Sequence, residues 1–279
     1  MSRLDIKNPS RAQTVVDNLY RDVERRIAAS PPGLCPVDMS LSFLQLCHAQ
    51  SCGKCVPCRI GLGQLSKLIA TVLDGTADMG TLAIIEKTAR TVVNTADCAI
   101  GRDAARLVLD GLEGFPIHVE VDYAKGLPSF ELVGLPDTAV KESKERVRAA
   151  IVNSGKRFVS ARIVVNLAPA DVKKEGASLD LAVALGYLAA SEQAVFPPLD
   201  DFIFLGELSL DGGVRKVQGI LPMLISAVKA GYRKFVIPQG NRAEACYIRE
   251  AEVYAVSSLS EAVEFLTGVS PLAAVEKRS

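Results

Sequence analysis

Three cysteines spaced two residues apart, Cys52, Cys55 and Cys58, with a fourth, Cys98, after 39 intervening residues, constrain this chain more than any other feature. A short loop with that spacing can wrap three corners of an iron–sulfur cubane, and one distant cysteine can close the fourth. Gly53 and Pro57 suit the tight backbone of such a loop, which lets amide N–H groups point at the sulfurs. Lys54, Arg59 and Arg102 stand beside the ligands, where positive charge favours the reduced, more negative form of a cluster. Two other readings stay open: a structural zinc site, which more often uses two paired Cys-x-x-Cys knuckles, and reduced thiols in a core. Six of the seven cysteines fall in the first 98 residues, and Cys246 lies beyond them. Cys35 and Cys47 are left over; Cys47 falls on an apolar helical stripe and is expected to be buried packing. His48 is expected to be satisfied or exposed rather than a ligand, and Cys246 to be a core or surface thiol.

The opening residues carry no apolar signal core, and no uncharged apolar run reaches about 18 residues, so the expectation is a cytoplasmic chain with no membrane span. Structural disulfides are not expected there. Hydrophobic residues make up 49% of the 279, enough for a packed core and too many for a disordered chain. Lys and Arg equal Asp and Glu at 32 each, and the balance is 13 to 12 through Gly114, which leaves no basic footprint for nucleic acid. Tryptophan is absent and aromatics are 5%, which weakens any base-stacking platform. Nucleic acid is therefore not an expected partner of this chain alone.

Hydrophobic periodicity divides the chain. Ser10 with Gln13 forms a capping box, and Ala12, Val15, Val16, Leu19, Val23 and Ile27 recur at helical spacing. Helical stripes follow from Asp38, through Leu62–Leu73, through Leu82–Val93, and from Ala105 to Leu112. Past Phe115-Pro116 the period falls to two, with a strand over 117–123 and another over 130–133. Asp137 caps a helix to Asn153, whose charged residues, Arg146 among them, are expected to form a solvated face. A strand at 162–167, a helix from Ser178, a hairpin of Phe202–Leu210 with Val214–Val217 across Asp211-Gly212-Gly213, helix 219–231, strand 234–238, helix 242–249, strand 252–256 and helix 258–267 complete the reading. The expected organisation is an all-α domain over 1–114, an α+β domain over 115–269 and a frayed tail over 270–279.

The run SCGKCVPCRIGLGQL, with TADCAIGRDAARLVLDGLEGF and the lead-in GLCPVDMSLSFLQLC, resembles the iron–sulfur domain of the NADH-oxidising flavoprotein subunit of respiratory complex I, a module also joined to glutamate-synthase-type reductases. The resemblance covers about residues 33–114. It implies a four-helix bundle holding one 4Fe-4S cluster through Cys52, Cys55, Cys58 and Cys98, which accepts electrons from a flavin and passes them on. No Gly-rich dinucleotide fingerprint opens a βα unit in this chain. A separate flavoprotein or other redox subunit would then be the electron donor.

The stretches VEVDYAKGLPSFELVGLPDTAVKESKERVRAAI, VVNLAPADVKKEGASLDLAVALGYLAAS and FLGELSLDGGVRKVQGILP resemble the N-terminal domain of the magnesium-chelatase-like AAA+ ATPases, a family that includes competence-associated helicases. That resemblance implies a fold similar to the proteolytic domain of Lon, placed before an AAA+ motor. The sequence contains no G-x-x-x-x-G-K-[ST] pattern, so ATP hydrolysis by this chain through that loop is not expected. Ser178 falls where a Lon nucleophile would, but the position of the lysine base falls near Leu221. Lys173, Lys174 and Lys216 are near in sequence; the bland reading of Ser178 is an N-cap. No catalytic residue is expected. Two functions follow: electron transfer or redox sensing by a one-cluster protein joined to a non-catalytic interaction domain, or a regulatory or binding subunit for a separate AAA+ ATPase with a structural cluster.

Overall fold

The computed structural model describes residues 11–29, 36–124, 126–159, 161–172, 174 and 176–278. They form two compact units, divided along the chain between Glu113 and Gly114. Among the described residues, none of the helices is long and apolar enough to cross a membrane.

All the regular elements among the first unit's described residues are helical. Its helices are α1 (Arg11–Ala29), α2 (Pro36–Ala49), α3 (Gly63–Asp74), α4 (Met79–Thr95) and α5 (Ala99–Gly111), with a π-helical turn, Pro57–Leu62, running directly into α3. Apolar residues at three- and four-residue spacing bury one face of each: Phe43, Leu44 and Cys47 on α2, Leu65, Ile69 and Val72 on α3, Ile85, Ala89 and Val92 on α4. α2 and α4 both pack on α5, and α1 covers α2 and α5. Gly75 ends α3 in the left-handed region at φ 73°, where its N–H meets the carbonyls of Thr71 and Val72. Asp78 caps α4 by accepting the Thr81 N–H at 2.7 Å. Ser10 of the expected capping box lies outside the described residues.

The second unit is mixed. β1 (His118–Ala124), β2 (Ser129–Val133) and β3 (Arg162–Ala168) form a sheet ordered β1-β3-β2, with β1 antiparallel and β2 parallel to β3. Val121, Val165 and Leu132 share one row across it, on the face covered by core. α6 (Thr138–Asn153) and α7 (Asp180–Ala190) pack together, and α7 lies on β1 at Gly186, where a Cβ would come within 2.7 Å of Val121. A second sheet, β4-β7-β8, is parallel throughout (β4 Phe202–Phe204, β7 Lys234–Pro238, β8 Glu252–Val256). β5 (Glu207–Leu208) and β6 (Val214–Arg215) form a short hairpin across the Asp211 turn. α8 (Ile220–Lys229), α9 (Arg242–Ala245) and α10 (Leu259–Leu266) complete the unit.

Several sequence expectations change. Phe202–Phe204 pairs with β7, not across the Asp211 turn, because Gly206 N–H is spent on the Ser178 carbonyl and ends the strand. Helix 242–249 stops at Ala245. The charged face of α6 is not wholly solvated: Arg146 turns inward. The tail is not frayed: Val275 is 4% exposed, its N–H reaches the Val253 carbonyl at 2.7 Å, and the Lys277 ammonium donates to the Ile248 carbonyl at 2.7 Å.

Candidate functional site

Cys52 and Cys55 lie in the irregular loop after α2, and Cys58 is the second residue of the π-helical turn. Gly53 bends the loop at φ 68°, a conformation glycine adopts without a Cβ clash. Pro57 opens the turn, where a missing N–H costs no hydrogen bond. Such π turns are rare and collect at functional sites. Cys98 stands as the N-cap of α5 with extended backbone, and its thiol caps nothing. The first turn of α5, from Ala99 to Gly101, is nonetheless buried.

These elements place Cys58 where the other three cysteines act on it. Cys58 is 2% exposed and its thiol is pushed up to about 12, first by burial, then by its contact with Cys55 and by the negative charge of Cys55, Cys98 and Cys52. Cys55 moves the other way: the N–H groups of Cys58 and Asp97 donate to its sulfur and hold it below the usual thiol range. The Asp97 N–H ties the three-cysteine loop to the residue next to Cys98. Cys52 is exposed, and Cys55 and Cys98 are partly so. Lys54, Arg59 and Arg102 are all exposed beside these cysteines.

Among the described residues, no group of three or more His, Cys, Asp or Glu converges to hold one metal ion. A cubane asks for a different spread. Each of its irons takes its own thiolate at a separate corner, so its ligands stand farther apart than those closing on one ion. A thiol binds metal as the thiolate, so binding at Cys58 would release the proton that burial, first, helps to hold there. The donor set and its N–H groups suit a cluster.

The remaining thiols are placed elsewhere. Cys47 is fully buried on α2, and burial first, then the charge of Asp103, pushes it up to about 12. His48 packs over Gly63, where a Cβ would lie 3.1 Å from its ring. Cys246 donates its S–H to the Ala243 carbonyl at 2.8 Å. Cys35 lies outside the described residues.

In the second unit Ser178 does not cap α7. The N-cap is Leu179, with no side-chain hydrogen bond, and Ser178 instead offers its carbonyl to Gly206. Leu221, at the expected position of a base, is 1% exposed. Lys174 is buried with its ammonium on the Pro169 carbonyl, and Lys216 pairs with Glu244 at 3.6 Å. Lys173 lies outside the described residues. Arg215 pairs with Glu207 at 3.5 Å, so these basic spots are engaged within the fold.

Sequence reasoning missed the ion pair at the centre of this unit. Asp180 is fully buried and takes two bonds from Arg146, at 2.6 and 3.0 Å, and one from the Leu208 N–H at 3.2 Å. Arg146 also donates to the Ala139 carbonyl at 2.9 Å. The pair ties α6, α7 and the β5–β6 hairpin together. Burial pushes the Asp180 carboxyl above the usual carboxylate range, and Arg146 opposes that rise.

Comparison with known proteins divides along the same line. Residues 119–241 match the family described as subunit ChlI of Mg-chelatase. The second unit is chelatase-like. Over 162 residues the chain is 40% identical to the competence protein ComM of Haemophilus influenzae, covering 58% of this chain and 32% of that protein. It is 42% identical over 158 residues to the protein YifB of Escherichia coli, covering 57% and 31%. A Lon protease of Trichlorobacter lovleyi is 28% identical over 136 residues, covering 46% and 16%. The chain thus spans about a third of the length of the first two of these relatives. Residues 38–122 match the NADH-ubiquinone oxidoreductase-F iron-sulfur binding region.

Proposed function

We propose that this chain is a regulatory or binding component for an AAA+ ATPase. In this reading the chelatase-like unit is the interaction module, and the helical unit carries a 4Fe-4S cluster on Cys52, Cys55, Cys58 and Cys98. The observation that supports the first part most is the match of 119–241 to the chelatase subunit family, together with the ComM and YifB relatives. With Leu221 where a lysine base would stand, and Lys174 and Lys216 held by other partners, the Lon-like framework serves binding rather than proteolysis. The test is the ATPase rate of a purified chelatase-type AAA+ ATPase from the same genome, with and without this chain, alongside co-elution of the two. A complex that changes the rate supports the reading; no co-elution at micromolar concentration and an unchanged rate overturn it.

One observation favours a second reading, electron transfer or redox sensing. Cys52 is exposed while Cys58 is buried, so a cluster would reach solvent at one corner, and Lys54, Arg59 and Arg102, close to the cysteines in sequence, are exposed as well. Cationic side chains there would raise its potential. Dithionite reduction followed by timed reoxidation with a flavoprotein separates the readings, because a purely structural cluster exchanges no electrons at a useful rate.

A further inference from the structure

We infer that Gly101 is a positioning residue for the cluster site, its missing side chain being the space that the Cys58 sulfur fills. The inference rests on the cluster reading above. Gly101 sits in the first turn of α5, three residues after Cys98. A Cβ built there would lie 2.8 Å from Cys58 Sγ and 2.8 Å from Ala96 Cβ, with Val92 Cγ1 at 3.9 Å. The first two are nearer than real Cβ atoms approach their neighbours. The backbone is helical, so the glycine is not needed for a left-handed turn, and in a helix it is the less favourable choice against alanine. Close approach is what it provides.

The absence of a Cβ lets the first turn of α5 pack directly against the Cys58 sulfur. Cys58 is 2% exposed, so its sulfur has no solvent side to swing into when displaced. An alanine at 101 would therefore move one corner ligand out of register with Cys52, Cys55 and Cys98.

Four proteins test this: the parent, Gly101→Ala, Gly101→Ala with Ala96→Gly, and Gly186→Ala. The Ala96→Gly change removes one of the two clashes and leaves the sulfur clash in place. Gly186→Ala, in α7 of the second unit, is the packing control, since its Cβ would meet Val121 Cγ2 at 2.7 Å and no sulfur. Each is reconstituted anaerobically with ferrous iron and sulfide, then read by iron and acid-labile sulfide content, the EPR signal of the reduced protein, and thermal melting by circular dichroism. The expected result is iron retention about 10-fold weaker in both Gly101 variants, the scale seen when groups that position a ligand are altered. Gly186→Ala should melt lower yet keep its iron. Parent-like iron and EPR in Gly101→Ala, or their restoration by Ala96→Gly, overturns the inference while the cluster reading stands. No iron or sulfide uptake by the parent overturns both.

Discussion

Replacing Arg146 with alanine removes the guanidinium that faces Asp180 in the core of the second unit. Two charge-assisted hydrogen bonds go, at 2.6 and 3.0 Å, and among the described residues the carboxylate keeps the Leu208 N–H at 3.2 Å. At about 1.5–3 kcal/mol for each such bond, the loss is about 3–6 kcal/mol. Breaking a buried pair by removing one partner costs about 3–5 kcal/mol, so the two routes agree. The Arg146 side chain is 19% exposed, which admits some water and favours the lower end, about 3 kcal/mol. Against a domain stability of about 5–15 kcal/mol that is a large fraction. The assay is urea unfolding of the whole chain followed by far-ultraviolet circular dichroism and by tyrosine emission, usable because tryptophan is absent. The loss should depend on pH. Burial already raises the Asp180 carboxyl, and without Arg146 nothing of comparable strength opposes it. A group whose folded pKa lies above its unfolded value contributes stability below the unfolded value and loses it as pH rises through the folded one. The deficit of Arg146→Ala relative to the parent should therefore be largest at neutral pH and shrink as the pH falls toward about 4. A deficit under about 1 kcal/mol at pH 7, or one that grows on acidification, would refute the reasoning.

Ser178→Ala should leave the unfolding free energy within about 0.5 kcal/mol of the parent, because its hydroxyl caps no helix; a loss near 1 kcal/mol in the same urea titration would restore the capping role. Cys47→Ala should cost about 1 kcal/mol through lost packing yet leave iron and sulfide content unchanged, read by denaturation and metal analysis together. In the folded parent Cys47 should resist iodoacetamide at pH 8, since a buried thiol raised to about 12 holds its proton; mass spectrometry showing its rapid labelling would contradict that.

Much of the framework was legible because local rules agreed with tertiary ones. The Asp137 cap, the Gly75 stop, the Asp211-Gly212-Gly213 turn and strand 252–256 each carry their signal within a few residues. What escaped has a non-local cause. Arg146 sits in a helix crowded with charge, and its partner is 34 positions away. The available signals were a lone aspartate opening the apolar helix DLAVALGYLAA, and the position of Arg146 beside the buried stripe Ala139, Val140, Ser143 and Val147. The sequence around Phe202–Phe204 points to the wrong neighbour because parallel pairing with β7 leaves no turn to read in the intervening residues. The segment after Ser270 carries apolar residues of its own: Val275 docks it on β8 and Leu272 packs against the core, contacts that no local signal announces. At the cysteines, spacing named the four candidates. It could not reveal that Gly101 leaves room for one of their sulfurs, because that contact joins residues 43 positions apart.

The most direct test of the account is iron and acid-labile sulfide analysis of the anaerobically purified chain and of its single Cys→Ser variants. The account predicts about four irons and four sulfides per chain, lost or sharply reduced on replacing Cys52, Cys55, Cys58 or Cys98 and kept on replacing Cys246. One zinc per chain, no metal, or a full complement in the Cys98→Ser protein would contradict it.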